Sequence, residues 1–444
     1  MTSQKTYGGM LDTDFGDKGI VTIVNGNPDY GTIHIQKLMV KDSWIYFGGR
    51  SARGNSVYIT MGRLDLKGNP DLEYGKNGLV QHLLPGFGAL SSFALQTDGR
   101  IIVHADSASS TSNFSYFYRL EKDGSLDKTF GNDGLVSLEL LKDSSSPSTE
   151  PSQALDNSAA DQTDMAILSD GKILTFHRNG WIIRLTSKGE PDTDFSDTGY
   201  IHIKNPHNPT SLLRSLLVDE KQEKYVVGGL ALAASSHHAM LACLHNNGKP
   251  DESFGWMKNG FVVFDVRASE LKQLVLQHNG RILGVGTAGA FPDTNALLIS
   301  TEPNGEPNIR FNGGNPLPTA LDKETQWEAG AFQKDGRSVV VGSTGTFTPM
   351  THQLVVACFN SNGALDADFG VGKGYVKQTL PTDGKGRYIA RIALQPVDGK
   401  ILVSAIPSVR NNEDPGNPVI LRYLPSPTAF PADDNSGRRA VARE

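Results

Sequence analysis

The sequence predicts an all-β fold, a seven-bladed β-propeller of four-stranded antiparallel blades. Two phrases recur in a fixed order along the chain, at intervals of 56 to 65 residues. Each repeat holds four short apolar segments separated by turn residues, and no segment of useful length has the period of an amphipathic helix. Seven repeats of four strands match a propeller, since propellers usually have roughly 4–8 four-stranded blades.

The first phrase, which we name the aspartate–aromatic phrase, combines turn residues with one aromatic side chain. Its copies read LDTDFGDKG, PDLEYGKNG, LDKTFGNDG, PDTDFSDTG, PDESFGWMKNG, PNIRFNGG and LDADFGVGKG. The glycines suit sharp turns, the aspartate suits an Asx turn, and the aromatic ring is expected to be buried between neighbouring blades. The aromatics are Phe15, Tyr74, Phe130, Phe195, Phe254, Phe311 and Phe369, and the aspartates given this structural role are Asp12, Asp127, Asp192, Asp251 and Asp366.

The second phrase is a β-hairpin signal. Its full form reads LQTDGRIIV from residue 95, which is an apolar run, an Asp-Gly turn and a second run rich in β-branched residues. A third apolar segment, such as FYRLEKDG, precedes most copies of the aspartate–aromatic phrase. We therefore interpret the aspartate–aromatic phrase as the crossing from the outer strand of one blade to the inner strand of the next.

The repeats account for nearly the whole chain as one domain. We expect a tail at residues 1–9, the propeller at residues 10–424, and a flexible tail at residues 425–444, which is polar and rich in proline. The chain begins with a crossing phrase and ends with an outer strand, so the N-terminal arm should complete blade seven and bury Phe15 between blades seven and one. The expected blades are approximately 19–65, 78–121, 134–186, 199–245, 260–301, 315–360 and 374–424.

The stretch GSLDKTFGNDGLV, read together with LQTDGRIIV, resembles the delta-60 repeat, a bacterial repeat of about 60 residues per copy. The resemblance covers residues 10 to 424 and implies a β-propeller, but it implies no activity and no catalytic residues. The fourth and sixth copies depart from the pattern, with Ser196 and Asn312 where glycine is usual and Asn308 in place of aspartate.

Composition excludes several classes of partner. The formal net charge is −6 and the charges are spread without long runs, so we expect no nucleic-acid binding. No apolar run is long enough for a membrane span, and the N-terminus has no secretory signal. We expect a cytoplasmic monomer, with export by a signal-independent route as an alternative. Two cysteines, Cys243 and Cys358, are expected to be free and half-buried.

Metal and cofactor sites are not expected. The D-x-D pairs of the aspartate–aromatic phrase lack the other oxygen ligands that calcium needs. GVGTAG at residues 284–289 matches a dinucleotide fingerprint, but no helix follows it. Four copies of the third segment have an arginine at the same position. These arginines are expected to form surface ion pairs with turn carboxylates, worth about 0–1 kcal/mol each. They are Arg63, Arg119, Arg184 and Arg422.

Loop lengths give the main indication of function. With the crossing placed as above, the first-to-second and third-to-fourth loops lie on one face and vary widely, whereas the loops of the other face are uniform. In repeat proteins insertions often collect on the binding face, although tolerance alone also explains variation. The candidate binding residues are the aromatics and histidines on that side: Phe87, His104, Phe114, Phe176, His177, Phe291, Trp327, Phe347 and His352.

Three classes of function stay open. The favoured one is a non-catalytic scaffold that binds a protein or glycan partner through the variable loops. The second is an enzyme, of hydrolase or lactonase type, with a metal-assisted site in the central channel. Its side chains would come from the presumed inner strands, which offer His82, Glu139, His202 and Asp265. The third is an exported adhesin or toxin component.

Overall fold

Seven antiparallel sheets of four strands each form a ring in the computed structural model, and this confirms the predicted fold class. The structure describes residues 7–27, 29–85, 88–108, 112–141, 165–205, 210–233, 236–277, 279–290, 293–380, 386–408 and 416–427.

The strands are β1 (Ile20–Thr22), β2 (His34–Lys41), β3 (Trp44–Arg53), β4 (Ser56–Asp65), β5 (Leu79–Leu83), β6 (Gly88–Leu95), β7 (Ile101–Ala108), β8 (Ser112–Leu120), β9 (Leu135–Leu141), β10 (Ala166–Ile167), β11 (Ile173–His177), β12 (Trp181–Leu185), β13 (Tyr200–His202), β14 (Ser211–Asp219), β15 (Lys224–Ala233), β16 (Ser236–His245), β17 (Phe261–Arg267), β18 (Ser269–Leu276), β19 (Ile282–Ala288), β20 (Asn295–Thr301), β21 (Leu317–Thr319), β22 (Glu324–Phe332), β23 (Ser338–Gly345), β24 (Gln353–Phe359), β25 (Tyr375–Gln378), β26 (Arg387–Leu394), β27 (Ile401–Ser408) and β28 (Val419–Tyr423). A short 3-10 helix at Asn312–Gly314 lies in one phrase.

Blades 1 to 6 each consist of four consecutive strands, from β2–β5 through β22–β25, and blade 7 has the order β26, β27, β28, β1. Neighbouring blades meet mainly through their first strands, β2, β6, β10, β14, β18, β22 and β26, which therefore line the central channel. The strands that follow the aspartate–aromatic phrases are the outermost ones.

The predicted strand phase, that is, which strand begins each blade, is therefore wrong by one strand. The predicted blade boundaries are wrong for the same reason. In blade 2, for example, the phrase turns back on its own strand: the Arg119 N–H donates to Gly134 O and the Asp127 N–H donates to Arg119 O. Strand β9 then pairs with β8 instead of starting the next sheet. The phrase thus connects the third and fourth strands of one blade, and the crossings between blades are the variable segments.

The ring is closed by the N-terminal arm, as predicted. Strand β1 pairs with β28 and supplies the outermost strand of blade 7. Ahead of it, Gly9 N donates to Leu424 O and Asp12 N donates to Arg422 O, both at 2.8 Å. Phe15 is fully buried in an apolar cluster with side chains of blades 7 and 1. The arm therefore provides both the phrase and the outer strand that blade 7 lacks.

Both predicted tails are shorter than expected. Gly8 donates its N–H to Asp368 O at 2.9 Å, so the arm is already docked at this residue. At the other end Ser426 is buried, and its hydroxyl donates to Asp366 Oδ2 at 2.6 Å. The rest of the predicted C-terminal tail, residues 428–444, lies outside the described residues.

Candidate functional site

Connections on the two faces of the ring differ in length. We call the face that carries the first-to-second strand turns and the aspartate–aromatic phrases the turn face, and the face that carries the second-to-third strand loops and the blade crossings the variable face. In blades 1 to 6 the connection that contains the aspartate–aromatic phrase, between the third and fourth strands, is 13 to 15 residues long. The crossings between blades range from the single residue Ala268 to the 24 residues 142–165. Because the strand numbering of every blade shifts by one, each loop takes a new name. No loop moves to the other face, so the two faces contain the loops that were predicted for them.

On the turn face, each aspartate–aromatic phrase locks one blade to the next. All seven aromatics are at most 3% exposed, and the aspartate or its Asn308 equivalent accepts the backbone N–H two residues on in every copy. Gly189 (φ 90°) lies on the Phe130 ring of the preceding blade, where an added Cβ would come within 2.7 Å of the ring. Gly9 (φ 81°) does the same for Phe369, so the arm repeats the packing of an ordinary blade junction.

The predicted pairing of arginines with turn carboxylates is confirmed, but their description as surface pairs is wrong. Arg119 is buried, its Nε lies 2.6 Å from Asp127 Oδ2, and its guanidinium carbon lies 4.7 Å from the centre of the Phe130 ring. Its Nη1 also donates to Ser187 O of the next blade at 3.0 Å. Arg63, Arg184 and Arg422 make the same three kinds of contact with their own aspartate, aromatic ring and next blade.

A second cation reaches most of these aspartates from the hairpin phrase. Arg100, which follows the Asp-Gly turn, places Nη1 2.7 Å from Asp127 Oδ2. The corresponding pairs are Lys172–Asp192, Lys224–Asp251, Arg337–Asp366 and Lys400–Asp12. Burial raises the pKa of Asp251, but hydrogen bonds from Lys224 and Ser253 outweigh it and hold the pKa at about 2. The carboxylates that resembled calcium ligands are thus used by cationic side chains.

Blades 4 to 6 lack the buried arginine. Cys243, Ser300 and Cys358 stand in its place, and Ser300 is paired with Asn308 through a 3.0 Å hydrogen bond. Both cysteines are free and fully buried rather than half-buried. Burial raises the pKa of both thiols, for Cys243 to about 12, which makes them poor nucleophiles.

Most of the candidate binding residues on the variable side are internal. His104, Phe176, His177, Trp327 and His352 are at most 1% exposed. Phe114 and Phe347 are half-buried, and Phe87 and Phe291 lie outside the described residues. The expectation that these side chains form an exposed aromatic surface is therefore wrong for at least five of the nine.

Three of the buried candidates, His104, His177 and His352, belong to two polar clusters. Between blades 2 and 3, Asp106 Oδ1 lies 2.8 Å from His104 Nε2 and 4.0 Å from His177 Nε2. Burial alone would raise the pKa of Asp106, but the two imidazoles outweigh it and lower that pKa. Between blades 6 and 7, buried Glu324 accepts a bond from Arg387 Nη2 at 2.8 Å and lies 3.3 Å from His352 Nε2. Both clusters join neighbouring blades.

The proposed channel residues are in the wrong place. His82, Glu139, His202 and Asp265 lie on outermost strands, because the strand phase was misassigned. Among the residues that the structure describes, no three His, Cys, Asp or Glu side chains are grouped so as to hold a metal ion.

The true inner strands carry charged and polar side chains that sequence reasoning missed. We call this set the inner belt; its members are Gln36, Lys37, Ser92, Arg214, Glu270, Lys272, Glu328 and Arg391.

Contacts within the inner belt run from blade to blade. Arg214 Nε lies 3.6 Å from Glu270 Oε2, and Lys272 Nζ lies 2.5 Å from Glu328 Oε1. Arg391 Nη1 lies 3.9 Å from Glu328 Oε2, and its Nε donates to Gln36 O at 2.8 Å. The belt therefore links the inner strands of blades 4, 5, 6, 7 and 1 at one level of the channel.

A sequence signal for the belt exists. In blades 5 and 6 a charged belt residue interrupts the apolar inner-strand run eight residues before the hairpin glycine: Lys272 before Gly280, and Glu328 before Gly336. Each of these residues is the extra residue of a β-bulge, where the ladder register shifts. A bulge re-aims a side chain, and a polar residue at a fixed phase within an apolar strand would have indicated the belt.

The fold and these two faces define a class, a seven-bladed β-propeller with a repeated, locked turn face and a variable face. A family model described as "Domain of unknown function (DUF5122) beta-propeller" matches residues 96–130. This stretch is a hairpin phrase and the aspartate–aromatic phrase after it. The resemblance to the delta-60 repeat stays a prediction. No curated protein matches the chain.

Solved structures match the chain at low sequence identity. Sqt1 from Chaetomium thermophilum matches with 9% identity and a TM-score of 0.47, over 89% of this chain and 96% of Sqt1. The propeller domain of the Trilobed protease from Pyrococcus furiosus matches with 8% identity and a TM-score of 0.41, over 85% and 90% of the two chains. Prolyl oligopeptidase B from Galerina marginata matches with 10% identity and a TM-score of 0.41, over 85% of this chain and 48% of the enzyme. Among the described residues, no helix has the length and apolar character needed to cross a membrane.

Proposed function

We propose that the protein is a non-catalytic scaffold that binds a protein partner on its variable face. The observation that carries this proposal is that one face of the ring is nearly the same in every blade and the other face varies. On the turn face every blade repeats the same phrase and packs its aromatic ring against a glycine of the next blade, whereas variation in chain length is collected on the variable face. In repeat proteins, per-repeat insertions collected on one face often mark the binding surface.

Exposed apolar side chains are more frequent on the turn face: among the residues that the structure describes, eight of the ten large exposed ones lie there. They are Met10, Leu72, Trp256, Met257, Leu276, Ile309, Val371 and Val397. They are spread over five blades with at most two in any blade, and single exposed apolar residues are ordinary on protein surfaces. The turn face is therefore the natural comparison surface in a test of the proposal.

Site-specific photo-crosslinking tests the proposed face. A photoreactive amino acid is placed at exposed Asn55 or Thr351 on the variable face, and at exposed Leu72 or Val397 on the turn face. In cells that produce the protein, we expect a discrete crosslinked protein from the first pair of positions and none from the second. Crosslinks from the turn face alone, or from neither face, would contradict the proposal. Crosslinked glycan without protein would favour the glycan alternative.

Two further experiments separate the scaffold role from its alternatives. A metal-assisted enzyme in the channel would have to use residues other than the four that were proposed. Elemental analysis of the purified protein separates it from a binding scaffold, since a stoichiometric transition metal would favour the enzyme. Fractionation of producing cells tests the expected cytoplasmic location against the exported adhesin or toxin component.

A further inference from the structure

The loop between the second and third strands of blade 6, residues 346–352, lies on the variable face; we call it the blade-6 loop. Hydrogen bonds within the loop fix its shape. The Thr346 N–H donates to Thr351 Oγ1 at 2.9 Å, and the Thr351 N–H donates to Thr346 O at 3.0 Å. The Thr346 hydroxyl also donates to Pro349 O at 2.6 Å. These bonds allow the loop to move as one unit.

A buried carboxylate holds both ends of the blade-6 loop. Glu324, the first residue of β22, is 3% exposed, and its Oε1 accepts the Phe347 N–H at 3.0 Å. Its Oε2 lies 2.8 Å from Arg387 Nη2 and 3.3 Å from His352 Nε2. The guanidinium carbon of Arg387, the first residue of β26, lies 5.7 Å from the centre of the Phe347 ring. The loop, the inner strand of blade 6 and the inner strand of blade 7 therefore meet at Glu324.

The surroundings of His352 suit a neutral imidazole. The side chain is 1% exposed, and a protonated imidazole would have two N–H groups that need acceptors. His352 Nδ1 lies 3.3 Å from Met350 Sδ, and a thioether is a weak acceptor. Its Nε2, although close to Glu324, makes no well-aligned hydrogen bond with any residue that the structure describes. Neither ring nitrogen is thus placed to stabilise an added proton.

Electrostatics point in the same direction. Burial lowers the pKa of His352; Glu324 raises it, the charge of Arg387 lowers it, and the net direction is downward. With the loop detached, the imidazole would lie in water and take its ordinary pKa of about 6.5. A histidine whose pKa is lower in the closed state binds a proton more readily in the open state. The closed state is therefore favoured above about pH 6.5, and this advantage is lost as the pH falls below that value.

We propose that the blade-6 loop is a pH-sensitive switch on the variable face, closed while His352 is neutral and open when His352 binds a proton. The inference rests on the proposed function and adds its regulation, because opening the loop changes the surface offered to the partner. His104 and His177, the histidines of the other cluster, lie in paired strands β7 and β11. A proton on either of them could not be accommodated by moving a loop alone.

Hydrogen exchange measured by mass spectrometry on peptides that span the blade-6 loop tests the switch without a partner. Protection is expressed relative to the intrinsic exchange rate at each pH, which removes the chemical effect of pH on exchange. Between about pH 7.5 and about pH 5.5, an open state with a pKa of about 6.5 can gain at most about tenfold in population. We expect the loop of the unmodified protein to lose about threefold to tenfold in protection over this range.

A matched pair of histidine variants locates the titrating group. His352→Gln removes the imidazole from the loop, and we expect its protection to change by less than about twofold over the same range. His245→Gln removes a half-exposed histidine of the turn face, and we expect the full response of the unmodified protein. If His352→Gln does not fold, the β3–β4 hairpin of the unmodified protein serves as the comparison. This hairpin also lies on the variable face and contains no histidine, so its protection should change by less than about twofold.

Three results would overturn the switch: no loss of protection in the unmodified protein, an equal loss in His352→Gln, or an equal loss in the β3–β4 hairpin. The crosslinking experiment separates this failure from failure of the proposed function. A partner crosslinked from Asn55 or Thr351, without any pH response of the loop, would leave the scaffold role intact and reject only the switch. A pH response without any crosslinked partner would support the opening of the loop and reject the scaffold role.

Discussion

At the scale of single residues, the arginine of the third strand does more than the sequence indicated. Arg119 neutralises Asp127, covers the Phe130 ring and donates to a carbonyl of the next blade. Without Arg119, buried Asp127 would keep only the pair with Arg100, and weakening a buried ion pair is more costly than losing a surface pair.

The first prediction compares a buried with an exposed arginine. We expect Arg119→Gln to lower the free energy of unfolding by about 2–4 kcal/mol, and Arg53→Gln by about 0–1 kcal/mol. Arg53 is the matched control because its pair with Asp29 at 3.0 Å is mostly exposed to solvent. Urea unfolding of both variants measures the difference, and similar losses at the two sites would show that Arg119 is not a buried link between blades.

The second prediction concerns acid. The pKa of Asp251 is held at about 2, below its ordinary value near 4, so the ionised form stabilises the folded state above that ordinary value. This stabilisation is lost as the pH falls from about 4 through about 2. We expect the urea midpoint of the unmodified protein to fall over this range, and to fall less steeply in Asp251→Asn. Identical slopes would contradict the assignment.

Residue-level reasoning from sequence found the Asx aspartates and the buried aromatics, because both are local patterns. It missed the cation of the hairpin phrase, since Arg100 and Asp127 are 27 residues apart and meet only when the sheet forms. It also placed His104 and Trp327 at a surface, because the sequence does not say which side of a strand faces a neighbouring blade.

At the scale of elements, the four strands of each repeat were predicted but their phase was not. A cyclic repeat reads the same from any starting strand, so spacing alone cannot decide whether β5 ends blade 1 or begins blade 2. Backbone hydrogen bonds decide it, as β5 pairs with β4 from Tyr58 and Leu83 to Gly62 and Leu79. For this reason the four predicted channel residues lie on outermost strands.

The third prediction tests the inner belt as an element that joins blades. Glu328→Gln should leave Lys272 and Arg391 facing each other without their shared carboxylate, and we expect a loss of about 3 kcal/mol in the free energy of unfolding. Lys272→Met combined with Glu328→Leu should recover part of that loss, because removing Lys272 also removes the repulsion between its charge and that of Arg391. Thermal unfolding that shows the double variant to be less stable than Glu328→Gln would contradict this reading.

At the scale of the whole molecule, one joint of the ring is held without a continuous chain. Blade 7 receives its phrase and outer strand from the N-terminal arm, through the pairing of β1 with β28 and the burial of Phe15. The two incomplete ends of the sequence predicted this closure. The sequence could not show that the outer strand itself comes from the arm, since that follows from the corrected phase.

The fourth prediction concerns this joint. Loss of one buried aromatic typically costs about 3–5 kcal/mol. We expect Phe15→Ala to lower the thermal unfolding midpoint more than Phe130→Ala, because Phe130 occupies the same place in a blade whose four strands are continuous in the chain. Equal shifts at the two sites would mean that the arm is not the weak point of the ring.

The central claim is that the turn face holds the ring together while the variable face binds the partner. Photo-crosslinking of the unmodified protein and of Arg119→Gln tests it most directly, because this substitution weakens a contact of the turn face and leaves the variable face unchanged. We predict the same crosslinked protein from Asn55 or Thr351 in both proteins, and none from Leu72 or Val397. A crosslinked protein from the turn-face positions alone, or loss of the Asn55 and Thr351 crosslinks in a folded Arg119→Gln variant, would contradict the claim.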